Sequence, residues 1–392
     1  MEHIIVVGDT SSTNLGDPIL THCCEYLVRQ ALGEAKTVIE VFDIAGRKPT
    51  KNFIPTKSTP IVVQRAPSCL SDILNTLKLD AKALIKWYQK DKYDFLRRLS
   101  RHKLQGTTFI IAGGALISSS LFYALRLNAI VEIAKRNNGR VIFNAVGIEK
   151  TIRNFGLAKY VVRHYLKQKE VVAFSTRDHV EDVPYLTKRK EFYLQTPDPG
   201  LLASEAYNIQ RKESCVVGIS VISYNAYRSV IQNEPRVKEI TPDLLLDFWS
   251  SIIKQLQYSK IPFRILTNGG IADYEMALRL CQRMNLPIND CLLPMAKEPK
   301  VLIEQLSQFK IVIAHRLHAL IISTSLQIPV IPVVWSDKVQ VFANMIGNEN
   351  AVWPSLETVS IFSQIVKPLK FDKERIRNLK ALIIDYFSDT LI

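Results

Sequence analysis

The stretch Ile311-Val312-Ile313-Ala314-His315-Arg316-Leu317-His318-Ala319-Leu320-Ile321-Ile322 decides the fold class of this chain. Its first four residues form an apolar, β-branched run typical of a buried parallel strand, and residues 317–322 continue as an apolar helix. The turn between them carries two imidazoles and a guanidinium at a helix N-terminus, where free N–H groups and the helix dipole favour an anion. This pattern predicts an α/β protein that binds its ligand at the carboxyl ends of its strands.

Short apolar runs of the same kind recur along the chain, separated by segments with helical periodicity. The first series is 3–8, 37–43, 60–64, 108–112, 141–146 and 171–175, and the second is 215–221, 263–267, 291–293, 311–314 and 329–335. Two such series predict two Rossmann-like domains that face each other across a cleft. The polar stretch after Pro197-Asp198-Pro199-Gly200 divides them into domains 1–205 and 206–392, and residues 373–387 predict a closing amphipathic helix.

The composition is that of a folded globular protein, with 392 residues, 47% of them hydrophobic and 22% charged, which excludes a disordered chain. The net charge of +14 is unevenly placed. Residues 65–190 carry 24 basic and 10 acidic side chains, whereas the rest of the chain carries 27 of each. A charge confined to one segment predicts one basic face directed at an anionic partner.

Several classes of protein are excluded by what the sequence lacks. The six cysteines form no Cys-x-x-Cys pair, so we expect reduced, mostly buried thiols, no metal site and no resident cofactor. Residues 1–9 predict a strand rather than a signal peptide, and no run of about 20 uninterrupted apolar residues is present. We therefore expect a cytoplasmic protein, peripheral at most to the inner face of a membrane.

Three polar loops follow predicted strands of the first domain. In the first, Asn14 and Asp17 flank Gly16 at the start of a helix, where Asp17 either binds a ligand or only caps the helix. The second contains Gly113 and Gly114, which serve a close backbone approach or simply a tight turn. In the third, Arg177 either holds a carboxylate or phosphate in the cleft or forms a local ion pair with Asp178 or Glu181.

The second domain contributes two more loops besides the turn at His315 and Arg316. Asn268 lies in an Asn-Gly-Gly sequence followed by Asp273, and this loop is either a simple turn or a further wall of the cleft. Lys338 follows Trp335-Ser336-Asp337 and supplies either a point charge to the site or a solvated surface cation.

Six features follow one another along the chain: the Asn-x-Gly-Asp loop, the glycine pair, Arg177-Asp178, Asp198-Pro199, Arg316-Leu317-His318 and Lys338. In this order they resemble the polysaccharide pyruvyl transferase family. The resemblance extends from about Gly8 to Asn350, and its most specific part is Arg316-Leu317-His318 with Ala319-Leu320. It implies a fold similar to the GT-B glycosyltransferases. It also implies transfer of the enolpyruvyl unit of phosphoenolpyruvate, the donor substrate, onto a sugar hydroxyl pair, which leaves a pyruvate ketal in surface polysaccharide biosynthesis.

The resemblance also implies roles for individual residues. Arg177 and Arg316 would hold the phosphate and carboxylate of the donor, and His318 would be the catalytic imidazole. The remaining expected donor contacts are His315, which orients His318 or contacts phosphate, Leu317 at the helix start, and Lys338. The expected acceptor contacts are Asn14, Asp17, Gly113, Gly114 and Asn268, with Asp17 also the candidate base. The first domain would then be the acceptor side and the second the phosphoenolpyruvate side.

Residues 70–103 predict a helical segment with a cationic stripe, because Lys78, Lys82, Lys86 and Lys90 recur at i, i+4 spacing. One interpretation is a peripheral contact with anionic membrane lipid that brings the enzyme to a lipid-linked oligosaccharide acceptor. The other is a helix packed on its domain with a solvated basic face. We expect no nucleic-acid partner, because no recognised nucleic-acid motif accompanies the stripe.

Two other functions remain open at the level of the sequence. The same fold would suit a nucleotide-sugar-dependent GT-B glycosyltransferase, because a fold alone does not fix a function. A catalytically silent glycan-binding protein is the third interpretation, and the presence of Arg177, Arg316 and His318 argues against it.

Overall fold

The computed structural model describes residues 2–33, 37–46, 70–154, 156–189, 193–231, 241–348, 359–366 and 371–391. The strand expected at 60–64 lies outside the described residues. Within them, the chain forms two parallel β-sheets flanked by helices, which confirms the prediction of an α/β protein with two Rossmann-like units.

The first sheet has six parallel strands in the order β2-β1-β3-β4-β5-β6. Their bounds are β1 Glu2–Gly8, β2 Thr37–Asp43, β3 Thr108–Ala112, β4 Arg140–Val146, β5 Val171–Thr176 and β6 Tyr193–Gln195. Alternate residues of β1 enter different apolar clusters, Ile4 and Val6 on one face of the sheet and Ile5 and Val7 on the other. Both faces are therefore covered, as a continuous apolar strand requires.

The second sheet has four parallel strands in the order β10-β9-β7-β8. They are β7 Val217–Ser220, β8 Phe263–Leu266, β9 Ile311–Ala314 and β10 Val330–Pro332. Here too the strands alternate between two clusters, because Ile311 and Ile313 join a core with Trp249, whereas Val312 and Ala314 join the core that the two units share. The crossover connections place the carboxyl ends of all strands in each sheet at one edge.

Helices connect the strands and cover both faces of each sheet. In the first unit they are α1 Gly16–Leu32, α2 Leu70–Lys86, α3 Lys92–Leu99, α4 Leu121–Arg136, α5 Ala158–Leu166, α6 Val183–Leu186 and α7 Ala203–Ala206. In the second they are α8 Tyr224–Ile231, α9 Pro242–Tyr258, α10 Ile271–Arg283, α11 Ile288–Cys291, α12 Pro299–Leu306, α13 Leu317–Ser325, α14 Asp337–Met345, α15 Val359–Val366 and α16 Lys373–Leu391. A π-helical turn, Trp87–Asp91, joins α2 to α3, so residues 70–99 form one helical segment as predicted. Among the described residues, no helix combines the length and the apolar character needed to cross a membrane.

The last helix returns to the first unit. Ile383, Phe387 and Leu391 of α16 belong to the same apolar cluster as Ile19 and Leu27 of α1. Arg140 Nη2 donates a hydrogen bond to the Leu391 carbonyl at 2.8 Å. The amphipathic helix expected near the end of the chain is thus present, and it ties the two units together. The domain division at residue 205 stays a prediction.

The observed strands differ from the prediction at two places. The expected strand 291–293 is wrong, because Pro287 precedes a helical turn, Ile288–Cys291, and only Leu292 makes an isolated bridge to Ile265. The short edge strand β6 was not predicted, because three residues are too few to show a period.

Candidate active site

The carboxyl ends of the strands in both sheets line one large cavity of about 1370 Å³. The first unit contributes the loops after β1, β3, β4 and β5, and the second contributes the segments that follow β9 and β10. Most of the predicted site residues line this cavity: Asn14, Asp17, Gly113, Gly114, Arg177, Arg316, Leu317, His318 and Lys338.

The turn between β9 and α13 forms one wall of the cavity. Arg316 has extended backbone at the N-cap position of α13, and no side chain caps the helix, so its first N–H groups are available to an anion. The guanidinium of Arg316 is held by Asp273, which accepts hydrogen bonds from Nε and Nη2 at 2.6 Å each. Because Asp273 is fully buried and also accepts from the Ser223 backbone N–H, it fixes the orientation of Arg316.

His318 lies at the centre of the cleft and joins the two units. Its ring packs directly on the backbone of Gly16, where a Cβ would lie 1.9 Å from Nδ1. Asn14 Nδ2 lies 3.4 Å from the same Nδ1, and with the amide donating, the neutral ring carries its proton at Nε2. Nε2 has no hydrogen-bonding partner among the described residues. The lack of a side chain at Gly16 therefore makes room for the His318 ring.

The electrostatic surroundings of His318 favour a neutral ring. Burial lowers its pKa well below the ordinary 6.5, and the positive charges of Arg177, Arg316 and Lys338 lower it further. The imidazole is consequently unprotonated at neutral pH when no anion is bound.

Arg177 faces His318 from the first unit and is itself buried. It forms ion pairs with Asp198 and, at 3.5 Å from Nε to Oδ2, with Asp178. Burial alone would lower the pKa of Arg177, but Asp198 and Asp178 outweigh it and raise the pKa above its ordinary value. Asp198 in turn accepts from the Gly200 N–H at 2.8 Å. The sequence left open whether Arg177 lines the cleft or forms a local pair, and the structure shows that it does both.

The loops after β1 and β3 form the opposite wall. Asp17 Oδ2 accepts hydrogen bonds from Ser12 Oγ at 2.8 Å and from Asn14 Nδ2 at 3.4 Å, so the loop is internally braced. Gly113 and Gly114 have φ values of 33° and 74°, a left-handed turn that favours glycine. This turn brings Gly114 next to the Asp17 carboxylate.

His315 does not lie in the cavity, which corrects the expectation that it orients His318 or contacts phosphate. Its side chain is fully buried among the rings of Tyr227, Phe248 and Trp249, with centroid distances of 5.3, 5.9 and 4.9 Å. The reason is strand alternation, because His315 continues the side of β9 that carries Ile311 and Ile313, away from the cleft. Burial lowers the pKa of His315 to about 3, and the charge of Arg316 contributes.

Asn268 is also outside the cavity. It is buried, and its backbone carbonyl accepts a hydrogen bond from the Leu15 N–H at 2.9 Å. Its side-chain amide has no partner among the described residues. Asn268 therefore holds the two units together through its backbone and does not line the acceptor wall.

Ion pairs cross the mouth of the cavity in two directions. Lys338 Nζ lies 3.1 Å from Glu149 Oε1, and Lys150 Nζ lies 2.5 Å from Asp337 Oδ2. Each unit thus presents one acidic residue and one adjacent basic residue to the other unit. This pairing was not predicted, although residues 149 and 150 follow a predicted strand.

An aromatic wall extends the cavity toward α2, and it was missed by the sequence analysis. Trp87 and Phe122 sandwich the guanidinium of Arg126 at 5.2 and 3.7 Å from the ring centroids. Arg126 also pairs with Asp91 at 3.4 Å. Next to this group, Tyr123 donates to Asp9 Oδ2 at 2.7 Å. No local sequence period marks these contacts, because they join α2, the π-helical turn and α4.

Three further potential metal ligands, His179, Glu181 and Asp182, lie within 4.8 Å of one another. Each has a partner in the chain: His179 Nδ1 is 3.1 Å from Glu181 Oε1, and Asp182 pairs with Arg153. These contacts hold all three side chains within the protein.

Comparison with solved structures identifies the fold. Over its whole length the chain is similar to UDP-GlcNAc 2-epimerase from Methanocaldococcus jannaschii (TM-score 0.52, 10% identity, 100% of that chain covered). It is also similar to the enzyme from Neisseria meningitidis bound to UDP-GlcNAc (TM-score 0.51, 9% identity, 99% of that chain). A UDP-forming α,α-trehalose-phosphate synthase from Burkholderia vietnamiensis gives a TM-score of 0.50 at 9% identity, with 100% of this chain and 96% of that chain covered. At these identities the likeness shows the GT-B-like fold alone.

Comparison with sequences gives a more specific result. No curated protein sequence matches the chain significantly. A family profile does match residues 41–337, which include Arg177, Arg316 and His318, and its description is polysaccharide pyruvyl transferase. Because the match covers most of the chain, this protein belongs to the polysaccharide pyruvyl transferase family.

Proposed function

We propose that this protein transfers the enolpyruvyl unit of phosphoenolpyruvate onto two hydroxyls of a sugar, forming a pyruvate ketal during surface polysaccharide biosynthesis. The observation that carries the proposal is the convergence of Arg177, Arg316 and His318 on one cavity, with the uncapped N-terminus of α13 beside them. Membership of a transferase family supports the class of reaction.

The donor would bind between Arg177, Arg316 and Lys338. Phosphoenolpyruvate carries about three negative charges near neutral pH, so it needs several fixed cations and N–H donors. Asp273 occupies Nε and Nη2 of Arg316 and so orients the guanidinium, whose Nη1 is directed to the ligand in this proposal. When phosphoenolpyruvate binds, Lys338 leaves Glu149 and pairs with the bound anion instead.

His318 would supply the proton that starts the reaction. In the free protein its pKa is far below 6.5 because of burial and three nearby cations. The donor brings about three compensating negative charges into the same site, which raises that pKa and allows the ring to bind a proton. Protonated His318 then acts as general acid toward the methylene carbon, a role worth about 10²- to 10⁴-fold in rate.

The reaction begins at the methylene carbon of phosphoenolpyruvate. The proton from His318 forms a C–H bond at the methylene, and C2 becomes cationic. One sugar hydroxyl attacks C2 and gives its proton to a base, for which Asp17 is the candidate. The C2–oxygen bond to phosphate then breaks, the second hydroxyl attacks C2, and its proton leaves with the phosphate. The products are the ketal and inorganic phosphate; the proton that Asp17 accepted returns to His318 through solvent, which restores both residues, and no oxidant or reductant is consumed.

The acceptor would occupy the part of the cavity formed by Asn14, Asp17, Gly113 and Gly114, whose carboxylate, amide and backbone groups can bond to sugar hydroxyls. We propose a lipid-linked oligosaccharide as the acceptor, because a cavity of about 1370 Å³ has room for more than one sugar and residues of the basic helix α2 line it.

The direct test incubates the protein with phosphoenolpyruvate and candidate β-galactosides, and measures phosphate release together with the mass of the product. We expect release that depends on the acceptor, and its loss in His318→Ala. His164→Ala is the matched control, because His164 is exposed on α5. Hydrolysis or transfer from a sugar nucleotide, with none from phosphoenolpyruvate, would instead support the nucleotide-sugar glycosyltransferase.

A further inference from the structure

Helix α2 has two faces of different character, and its inner face lines the cavity. Leu79, Asp80, Ala83, Lys86 and Trp87 line the cavity, and Trp87 is buried. The helix is therefore fixed against the first unit along this side. The opposite side is exposed from Leu74 onward.

The exposed side carries an apolar stripe. Leu74, Leu77, Ala81, Ile85 and Tyr88 follow one another at spacings of three and four residues, so they share one face of the helix. The exposed fractions are 53% for Leu74, 42% for Leu77, 55% for Ile85 and 66% for Tyr88. Of the 16 exposed large hydrophobic side chains among the described residues, six lie between residues 74 and 93. Such a concentration marks an interaction surface, whereas scattered exposed residues do not.

Lysines border this apolar stripe. Lys78 and Lys82 each directly follow a stripe residue in sequence, whereas Lys86 and Lys90, further along the same row, lie toward the cavity side, where Lys86 is a lining residue. All four are exposed. An apolar stripe with a lysine row beside it is the pattern of a helix that lies in the plane of a membrane interface, its apolar side chains among the acyl chains and its ammonium groups at anionic headgroups.

We propose that α2 docks this protein on an anionic lipid bilayer. The 17-residue helix is about 25 Å long and presents the stripe along its length. Charge complementarity selects this occupant over a second copy of the chain, because a twofold contact through the stripe would bring two lysine rows together. Each lysine near an anionic surface adds to the attraction, which falls with increasing salt.

Docking in this way has a consequence for the substrate, and this part rests on the proposed function. Because the inner side of α2 is a wall of the cavity, a bilayer on its outer side lies about one helix diameter, roughly 10 Å, from the cavity. A sugar anchored to a lipid then reaches the acceptor wall without leaving the membrane. The acceptor class that this geometry favours is a glycan on a membrane lipid.

Vesicle sedimentation without phosphoenolpyruvate tests the docking. The protein should bind vesicles of equimolar phosphatidylcholine and phosphatidylglycerol and bind pure phosphatidylcholine at least about tenfold more weakly. Lys78→Glu with Lys82→Glu, and separately Leu74→Ser with Ile85→Ser, should each weaken anionic binding by at least about tenfold. Lys254→Glu with Lys300→Glu makes the same charge change on exposed positions of α9 and α12 and should bind as the unaltered protein does.

Two results would overturn the docking proposal. One is equal binding of the Lys78→Glu, Lys82→Glu variant and the control. The other is a dimer in light scattering that the Leu74→Ser, Ile85→Ser variant abolishes, which would assign the stripe to a second copy. Transfer onto a soluble glycan, which none of these substitutions touches, shows that the variants are folded and tests the proposed function separately. If the variants are active and bind vesicles as the unaltered protein does, only the docking proposal is refuted. If the unaltered protein binds vesicles but transfers nothing from phosphoenolpyruvate, only the proposed reaction is refuted.

Discussion

Replacing His315 by leucine should flatten the acid dependence of the stability of the second unit. Burial lowers the pKa of His315 to about 3, whereas the unfolded chain titrates near 6.5. Between these values the unfolded chain binds the additional proton, so the free energy of unfolding falls as the pH decreases through this window. The loss is about 1.4 kcal/mol per pH unit, which gives roughly 2.7 kcal/mol between pH 7.5 and 4.5.

Leucine is similar in size to histidine and has no titrating group. Both ring nitrogens of His315 lack hydrogen-bonding partners among the described residues, so the substitution removes no hydrogen bond seen there. The matched control is Tyr227→Phe, which alters the same aromatic box. Burial raises the pKa of Tyr227, so this phenol does not titrate under acid conditions.

The measurement is urea unfolding at several pH values between 4.5 and 7.5, followed by tryptophan fluorescence, to which Trp249 contributes from a ring 4.9 Å from that of His315. The unaltered protein and Tyr227→Phe should show the same slope of unfolding free energy against pH. His315→Leu should lose about 2.7 kcal/mol less over the range than they do. Parallel curves for all three proteins would refute the argument that this imidazole is held neutral by burial.

Three further outcomes follow from the geometry of the cleft. Gly16→Ala should displace the His318 ring, since its Cβ would lie 1.9 Å from Nδ1, and should lower transfer at least about a hundredfold with an unchanged circular dichroism spectrum. Gly270→Ala is the control, because its nearest neighbour would lie at an ordinary 3.6 Å; equal activities would contradict the expectation. Phosphoenolpyruvate binding at pH 8 should be accompanied by net proton uptake, measured by calorimetry in buffers of different ionisation enthalpy, and by less uptake in His318→Gln. Asp273→Asn should raise the KM for phosphoenolpyruvate about tenfold with a smaller effect on kcat, because Arg316 loses its bidentate carboxylate; an unaltered KM would remove Asp273 as a positioning residue.

The strands were predictable where β-branched residues are concentrated in a short run. Residues 37–43, 108–112 and 311–314 have the predicted bounds, although Val38 and Val41 of the edge strand β2 are exposed, because β-branched enrichment over four to seven residues favours a strand over a helix. Residues 291–293 failed because three apolar residues fit a strand or the end of a helical turn equally well. Local patterns thus predict an element where it is long, and tertiary context decides where it is short.

The site was predictable to the extent that it depends on strand ends. Arg177, Arg316 and His318 each follow a strand, so the rule that ligands bind at carboxyl ends brought them together. His315 follows the same strand as Arg316, and only the alternation of β9 shows that its ring faces the other core. Asp273 was noted from the sequence but its pairing with Arg316 was not, and the aromatic wall was missed, because the pairing and the wall both depend on contacts between distant segments that no local period contains.

The return of α16 to the first unit affects how the chain folds as it is synthesised. The strands of the first sheet are complete once Gln195 has emerged, yet the apolar side of α1 that meets Ile383, Phe387 and Leu391 has no cover until the end of α16. At bacterial and eukaryotic rates of translation, this interval lasts about 10 to 40 seconds. A nascent first unit therefore exposes the apolar side of α1 throughout that time. A chain truncated before residue 383 should depend on chaperones.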